Sequence, residues 1–143
     1  MPASIATAHG LLSLLLRGEA FASPGRVYFS LHIGPPGGVG ANEVTAGAWP
    51  NYSRRDPADG GTVADAFEEP DGKATVNALT ITWPPMNGTE SVEITHFAVW
   101  DAETNGNMLL SGQLTLDGNP SPRTLFPTDE LIARPGTFTV EID

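Results

Sequence analysis

Cysteine is absent from the chain, which excludes disulfides, thiolate metal sites and a cysteine nucleophile and leaves the redox compartment unmarked. Basic residues are scarce as well. Seven Lys and Arg stand against 17 Asp and Glu over 143 residues, for a formal net charge of -10. Seven scattered cations do not build the basic footprint that a nucleic-acid surface needs, so the composition argues against direct DNA or RNA binding. The acidity instead serves solubility, or attraction to a basic partner. No apolar run is long enough to span a bilayer, which argues against a membrane partner. The stretch "SIATAHGLLSLLLRGEAFAS" ends in the small-x-small triplet Ala20-Phe21-Ala22. It lacks a basic start, its apolar run is short, and Arg17 and Glu19 intervene, so it reads as part of the fold and not as a signal peptide.

Against these absences stands a chain with 40% hydrophobic and 17% charged residues, the balance of a globular protein. Its length points to a single domain, residues 1–143, burying roughly 68–70% of the unfolded surface. One helix is expected, residues 3–17. Ile5, Ala8, Leu12 and Leu15 or Leu16 fall at helical spacing, Leu11 and Leu14 widen the apolar face, Pro2 suits the start and Gly18 the stop. Beyond it the period changes to two. Val27, Phe29, Leu31 and Ile33 alternate with polar residues in "RVYFSLHI", as do Leu79, Ile81 and Trp83 in "VNALTITW". Met108, Leu110, Leu114 and Leu116 share a face in "NMLLSGQLTL", and Phe138, Val140 and Ile142 in "GTFTVEID". "SVEITHFAVW" is apolar on both faces, which fits a central strand or one carrying a bulge. Pro/Gly clusters such as "GPPGG", "DPADGG" and "PPMNG" separate these runs at the intervals of an all-β domain. The fold class expected is mainly β: an antiparallel, jelly-roll-like β-sandwich with one short N-terminal α-helix. Residues 46–72 form a long excursion of low apolar density, and such loops tend to be functional or interface-forming.

The chemical motifs fail one after another. "LHIGPPGGVGANEV" places four glycines behind a strand, but a phosphate loop needs Gly-Lys-Ser/Thr opening a helix, and a dinucleotide site needs a βαβ unit. A wide structural turn is the reading that remains. In "DAETNGN", Asp101, Glu103, Asn105 and Gly106 match the first positions of a calcium loop, yet Gly112 stands where a bidentate Glu is required and strands flank it. Asn105-Gly106 is itself a hairpin signal. His9, His32 and His96 are isolated in sequence; His32 has Glu43 as a possible spatial partner, and His96 has Asp101. The carboxylate pairs Glu68-Glu69 and Asp129-Glu130 lie in turn-like contexts where solvated charge is the default. No HExxH, GxSxG or Ser/His/Asp pattern occurs. The expectation is therefore no enzyme, no cofactor and no metal.

The aromatics carry what signal there is. Trp83 and Trp100 end alternating strands and belong in or near the core. Trp49, with Tyr52, Arg54 and Arg55 close by, lies in the excursion, where aromatic and Arg residues are the usual anchors of an interface. The competing reading has Trp49 tacking the loop onto its own domain. Asn51-Tyr52-Ser53 and Asn87-Gly88-Thr89 match glycosylation sequons, a motif frequent by chance.

The order of segments resembles a known family. A short apolar helix precedes "FASPGRVYFSLHIGPPGGVGANEV"; then come "ALTITWPPMNGTESVEITHFAVWDAETNGNMLLSGQLT" and "TLFPTDELIARPGTFTVEID". This is similar to the small phage and prophage virion proteins labelled tail-fibre or minor tail proteins, in which a strand leads into a Gly/Pro loop ending in "NEV" and a "THFGIWDA" block follows. Gly40 to Val44 and Thr95 to Gly112 carry it most specifically. Where such proteins have a Gly-Gly-Tyr-Ala-Arg type segment, this chain has "GAWPNYSR", an approximation. The resemblance implies a non-enzymatic bacteriophage structural protein located in the virion, either tail/fibre-associated or a capsid decoration protein. Its implied partners are capsid or tail subunits and further copies in a homo-oligomer, trimer or ring. Leu11, Leu14, Trp49, Tyr52, Arg54 and Arg55 are the candidate interface residues. The alternative is a glycan- or receptor-binding adhesin module with a cation held near Asp101.

Overall fold

The computed structural model describes residues 3–142; Pro2, expected at the helix start, lies outside them. The helix α1 spans Ile5–Arg17. Ser4 stands just ahead in an extended conformation, and its Oγ accepts a hydrogen bond from the Thr7 N–H at 3.0 Å, satisfying one of the donors a helix start leaves open. Gly18 stops the helix in the left-handed region, at φ 69°, where only glycine pays no side-chain penalty.

Among the described residues eleven strands follow. The first six are β1 Tyr28–His32, β2 Ala74–Val76, β3 Ile81–Thr82, β4 Val92–Ile94, β5 His96–Trp100 and β6 Met108–Gln113. The others are β7 Thr115–Leu116, β8 Asn119–Pro120, β9 Arg123–Leu125, β10 Ile132–Ala133 and β11 Thr139–Glu141. Every pairing is antiparallel. A three-stranded sheet runs β1-β5-β6, and four two-stranded pairs, β3-β10, β2-β11, β4-β9 and β7-β8, complete a β-sandwich-like fold. β5 is central and buried on both faces, with a register shift between Val99 and Trp100. Both features expected of "SVEITHFAVW" are present.

Three phenylalanines join the layers. Phe29 of β1 stacks on Phe138 with ring centres 5.0 Å apart, and Phe97 of β5 lies 4.8 Å from Phe138. Trp83 meets Phe138 edge-on at 6.3 Å, a favourable aromatic geometry. Ile81, Ile94, Val99, Leu31 and Leu125 fill the space between them.

Several strand readings need correction. Leu79, Leu116 and Ile142 are exposed, as is Ile33. Leu79, Ile33 and Ile142 lie beyond the ends of strands shorter than their alternating patterns, so the inward face is lost when pairing stops, whereas Leu116 lies within β7, which pairs only with β8 and is exposed at both residues. Ser30 and His32 face the opposite way: although polar, both are fully buried, because β1 is covered on its second side by the Gly/Pro loop. The 46–72 excursion holds one 3-10 turn, Val63–Asp65. It is partly internal: Trp49, Pro57, Ala58 and Ala66 are buried, and Arg55 bridges to Phe29 of β1.

Candidate functional site

Glu43 closes the Gly/Pro loop, and its carboxylate gathers the candidates of the excursion. Arg54 Nε donates to Glu43 Oε1 at 3.0 Å and Arg54 Nη2 to Oε2 at 2.9 Å, a two-point fork. The Tyr52 hydroxyl donates to the same Oε1 at 2.9 Å and accepts from the Leu31 N–H of β1. Burial, with the Glu43 carboxylate beside it, pushes the Tyr52 phenol well above its usual range. Arg54 Nη1 reaches the carbonyls of Ala102 and Asn105 at 3.0 and 2.7 Å, and the guanidinium lies 3.5 Å from the Trp100 ring centre. One cation therefore holds three segments: the Gly/Pro loop, the excursion and the turn after β5.

The glycines of "GPPGGVG" acquire a reason here. Gly40, at φ +89°, lies flat against the Trp100 indole, and Gly38 lies against Ile5 of α1; a Cβ on either would collide. The loop seats an indole on one side and the helix on the other. No phosphate is needed to explain it.

Beneath Trp100 runs a second chain of hydrogen bonds. Trp100 Nε1 donates to Ser30 Oγ at 2.7 Å, Ser30 Oγ lies 2.7 Å from His32 Nε2, and His32 Nδ1 lies 2.7 Å from the Ala41 carbonyl. A carbonyl only accepts, so Nδ1 carries the proton and Nε2 accepts from Ser30. The pair has the spacing of a nucleophile and its base. Both residues are closed to solvent and every polar atom of the chain is occupied, so the pair holds β1, β5 and the loop together and meets no substrate. His32 does come to Glu43, as a backbone bridge. His96 instead lies by Thr95 Oγ1 at 2.8 Å. Asp101 spends its carboxylate on Asn107, Oδ1 accepting from the backbone N–H at 2.7 Å and Oδ2 from Nδ2 at 3.1 Å. The turn, with Asn105 and Gly106 both at positive φ, consumes the groups a cation would need, and the described residues contain no cluster of three potential metal ligands. The Asn87 side chain accepts from the Asn51 N–H at 2.9 Å, tying the two sequons to one another.

Trp49 has a relative exposure of 0%, with its ring 5.6 Å from Tyr52. It tacks the excursion onto its own domain. Arg54 is likewise buried against Glu43 and Trp100, so neither side chain is displayed to a partner; Arg55 is half-buried. Interface composition and loop-packing composition are the same, and only position separates them.

α1 is the reverse. Its inner side rests on β6 through Ser4 and Thr7, with Ser4 N donating to the Leu109 carbonyl at 2.9 Å. Leu11 lies half-buried, whereas Leu14 is 41% exposed. Outward stand Ile5 at 67%, Leu12 at 58%, Leu15 at 76% and Leu16 at 78% exposure. The residues at helical spacing thus face solvent, while Ser4 and Thr7 take the side against the sheet. Val39, 74% exposed, extends the stripe, and an open groove of about 580 Å³ runs between Ile5, His9, Val39 and Met108. Sequence periodicity finds this stripe but does not say which side of the helix the sheet takes.

The family described as podophage GP4 fiber I protein gp80 matches the chain over residues 2–141. Among curated proteins none matches. The match spans the helix, the Gly/Pro loop and every strand described above, so this chain belongs to the podophage GP4 fiber I protein family and is a structural component of a phage virion.

Proposed function

We propose that the chain is a non-enzymatic, fibre-associated subunit that takes its place in the particle through the outer face of α1, against other virion proteins and further copies of itself. The observation that carries this reading is the apolar stripe of Ile5, Leu12, Leu15 and Leu16, open to solvent on a helix whose inner side is already seated. Soluble monomers rarely leave such a contiguous stripe uncovered. Ile5, Ala8, Leu12 and Leu15 repeat at heptad spacing, which suits a helix packed lengthwise on a helix. Burying one leucine contributes about 2 kcal/mol, and closed symmetry, a trimer or ring, multiplies contacts that are weak singly. Leu14, 41% exposed on the same helix, is a further candidate for that contact. A capsid decoration role has less support than a fibre-associated one.

Analytical ultracentrifugation of the purified chain tests this: it should sediment as a closed oligomer at micromolar concentration. The Leu12→Gln/Leu15→Gln/Leu16→Gln variant should be a folded monomer and should be missing from purified virions by mass spectrometry. A wild-type monomer, together with variant chains that enter virions normally, defeats the reading.

A further inference from the structure

A hollow of about 180 Å³ opens where β5, β6, β9, β10 and β11 converge, and none of its lining residues belongs to α1 or to the groove beside it. Its accessible apolar lining is Leu114, Leu131 and Ile132, while Phe97 and Phe138 also border it but are buried at 3% and 4% exposure. Its wall is a set of hydroxyl donors and acceptors, Thr115, Ser121, Thr137 and Thr139, with one guanidinium, Arg123. No Asp or Glu lines it, in a chain that carries 17.

Arg123 is the informative group. Among the described residues Arg17, Arg26, Arg54 and Lys73 each lie within 4.0 Å of a carboxylate, whereas Arg55, Arg123 and Arg134 have no such partner, and of these three only Arg123 lines the hollow. Its Nη1 donates only to Ser121 Oγ, at 2.9 Å, which holds the guanidinium at the wall of the hollow. A fixed guanidinium with its remaining N–H groups free fits a carboxylate in two-point geometry. One cation fits one negative charge, and a doubly charged phosphate would be left half-compensated. The volume of the hollow, room for about six waters, suits one ring and not a length of peptide. An apolar floor beneath a rim of hydroxyls matches a ring with a C–H face and hydroxyl edges.

From this geometry we infer that the hollow is a binding site for a single carboxylate-bearing sugar unit: its C–H face lies on Leu131 and Ile132, its hydroxyls on the threonines and Ser121, and its carboxylate on Arg123. The site is independent of α1 and stands whether or not the assembly surface does.

The test is an amide-resolved NMR titration of the full chain with glucuronate and galacturonate, with glucose and acetate as separate arms. The expected result is saturable shifts confined to residues 113–115, 121–123, 131–132 and 137–139 with a uronate, at millimolar affinity. Glucose should bind about tenfold more weakly, the worth of a charge-assisted hydrogen bond. Arg123 is exposed, so Arg123→Gln should keep the native spectrum and lower uronate affinity about tenfold. Thr137→Val should weaken the uronate and leave acetate unaffected. No saturable shift with either uronate overturns the inference. So does an acetate response equal to the uronate response, which would leave a bare carboxylate site, or an unchanged affinity in Arg123→Gln.

Discussion

At His32 two hydrogen bonds decide the state of the ring. The Ala41 carbonyl requires a proton on Nδ1 and Ser30 supplies one to Nε2, so the neutral form is fully satisfied, and a second ring proton would force the Ser30 hydroxyl to turn to the more distant Ala98 carbonyl at 3.5 Å. Burial lowers its pKa from the usual value; the Arg54 and His96 charges push the same way, while the Ala41 hydrogen bond and the Glu43 carboxylate oppose them. His96 is also lowered by burial. The unfolded chain takes up these protons near pH 6.5, where the folded chain resists them. Stability is therefore intact above pH 6.5 and is lost as pH falls from there through the lower folded pKa values, by at most about 1.4 kcal/mol per pH unit for each ring. Urea unfolding between pH 7.5 and pH 5 should display that slope, and His32→Gln should remove its larger share. An unaltered slope in the variant would show that the ring is not held as described. The proximity of His32 and Glu43 could be guessed from sequence, but the partners that matter, Ser30 and Ala41, could not. Their roles depend on a loop folding back over β1.

Among elements, the connection between loops rests on one ion pair. Arg54 touches Glu43, Ala102 and Asn105, the last of them 51 residues away in sequence. The side chain of Arg54 is 8% exposed and that of Glu43 23%, so water screens the pair only in part. Arg54→Lys keeps the charge but not the fork, and one ammonium cannot serve the carboxylate and both carbonyls while lying flat on Trp100. The substitution should cost about 2 kcal/mol by urea unfolding. Arg54→Met, which strands the Glu43 carboxylate, should cost about 3 kcal/mol or more. A change of less than 0.5 kcal/mol in both would mean that the three segments are held by packing alone. The excursion looked polar because its apolar residues are few and far apart. It is nonetheless anchored, since Trp49 is fully buried and a tryptophan can bury up to about 250 Å², with Pro57, Ala58 and Ala66 buried beside it in the sequence. The strands show the opposite error. Alternation continues beyond the paired residues in "NALTITW" and "VEID", because pattern depends on the chain alone whereas pairing depends on a neighbour.

For the whole molecule, charge and apolar surface pull apart. Each copy carries a formal charge of -10, so copies repel, yet α1 from Ile5 to Leu16 carries no acidic residue and offers an uncharged face for contact. Salt shortens the range of repulsion to about 8 Å at physiological strength without weakening apolar burial. Association should therefore tighten between 50 and 500 mM NaCl, as read by sedimentation; loosening would mean that ion pairs hold the assembly. The sequence by itself determined a mainly β class with one capped helix, the turn at Asn105-Gly106, the acidic charge balance and the family resemblance. These are matters of local period, turn chemistry and composition, each written in neighbouring residues. Only the tertiary structure decided that Trp49 and Arg54 turn inward, that the leucines of α1 turn outward, and that Arg123 is left without a carboxylate beside a hollow. An amphipathic pattern states that a face exists, and what that face meets is set by contacts between residues dozens of positions apart.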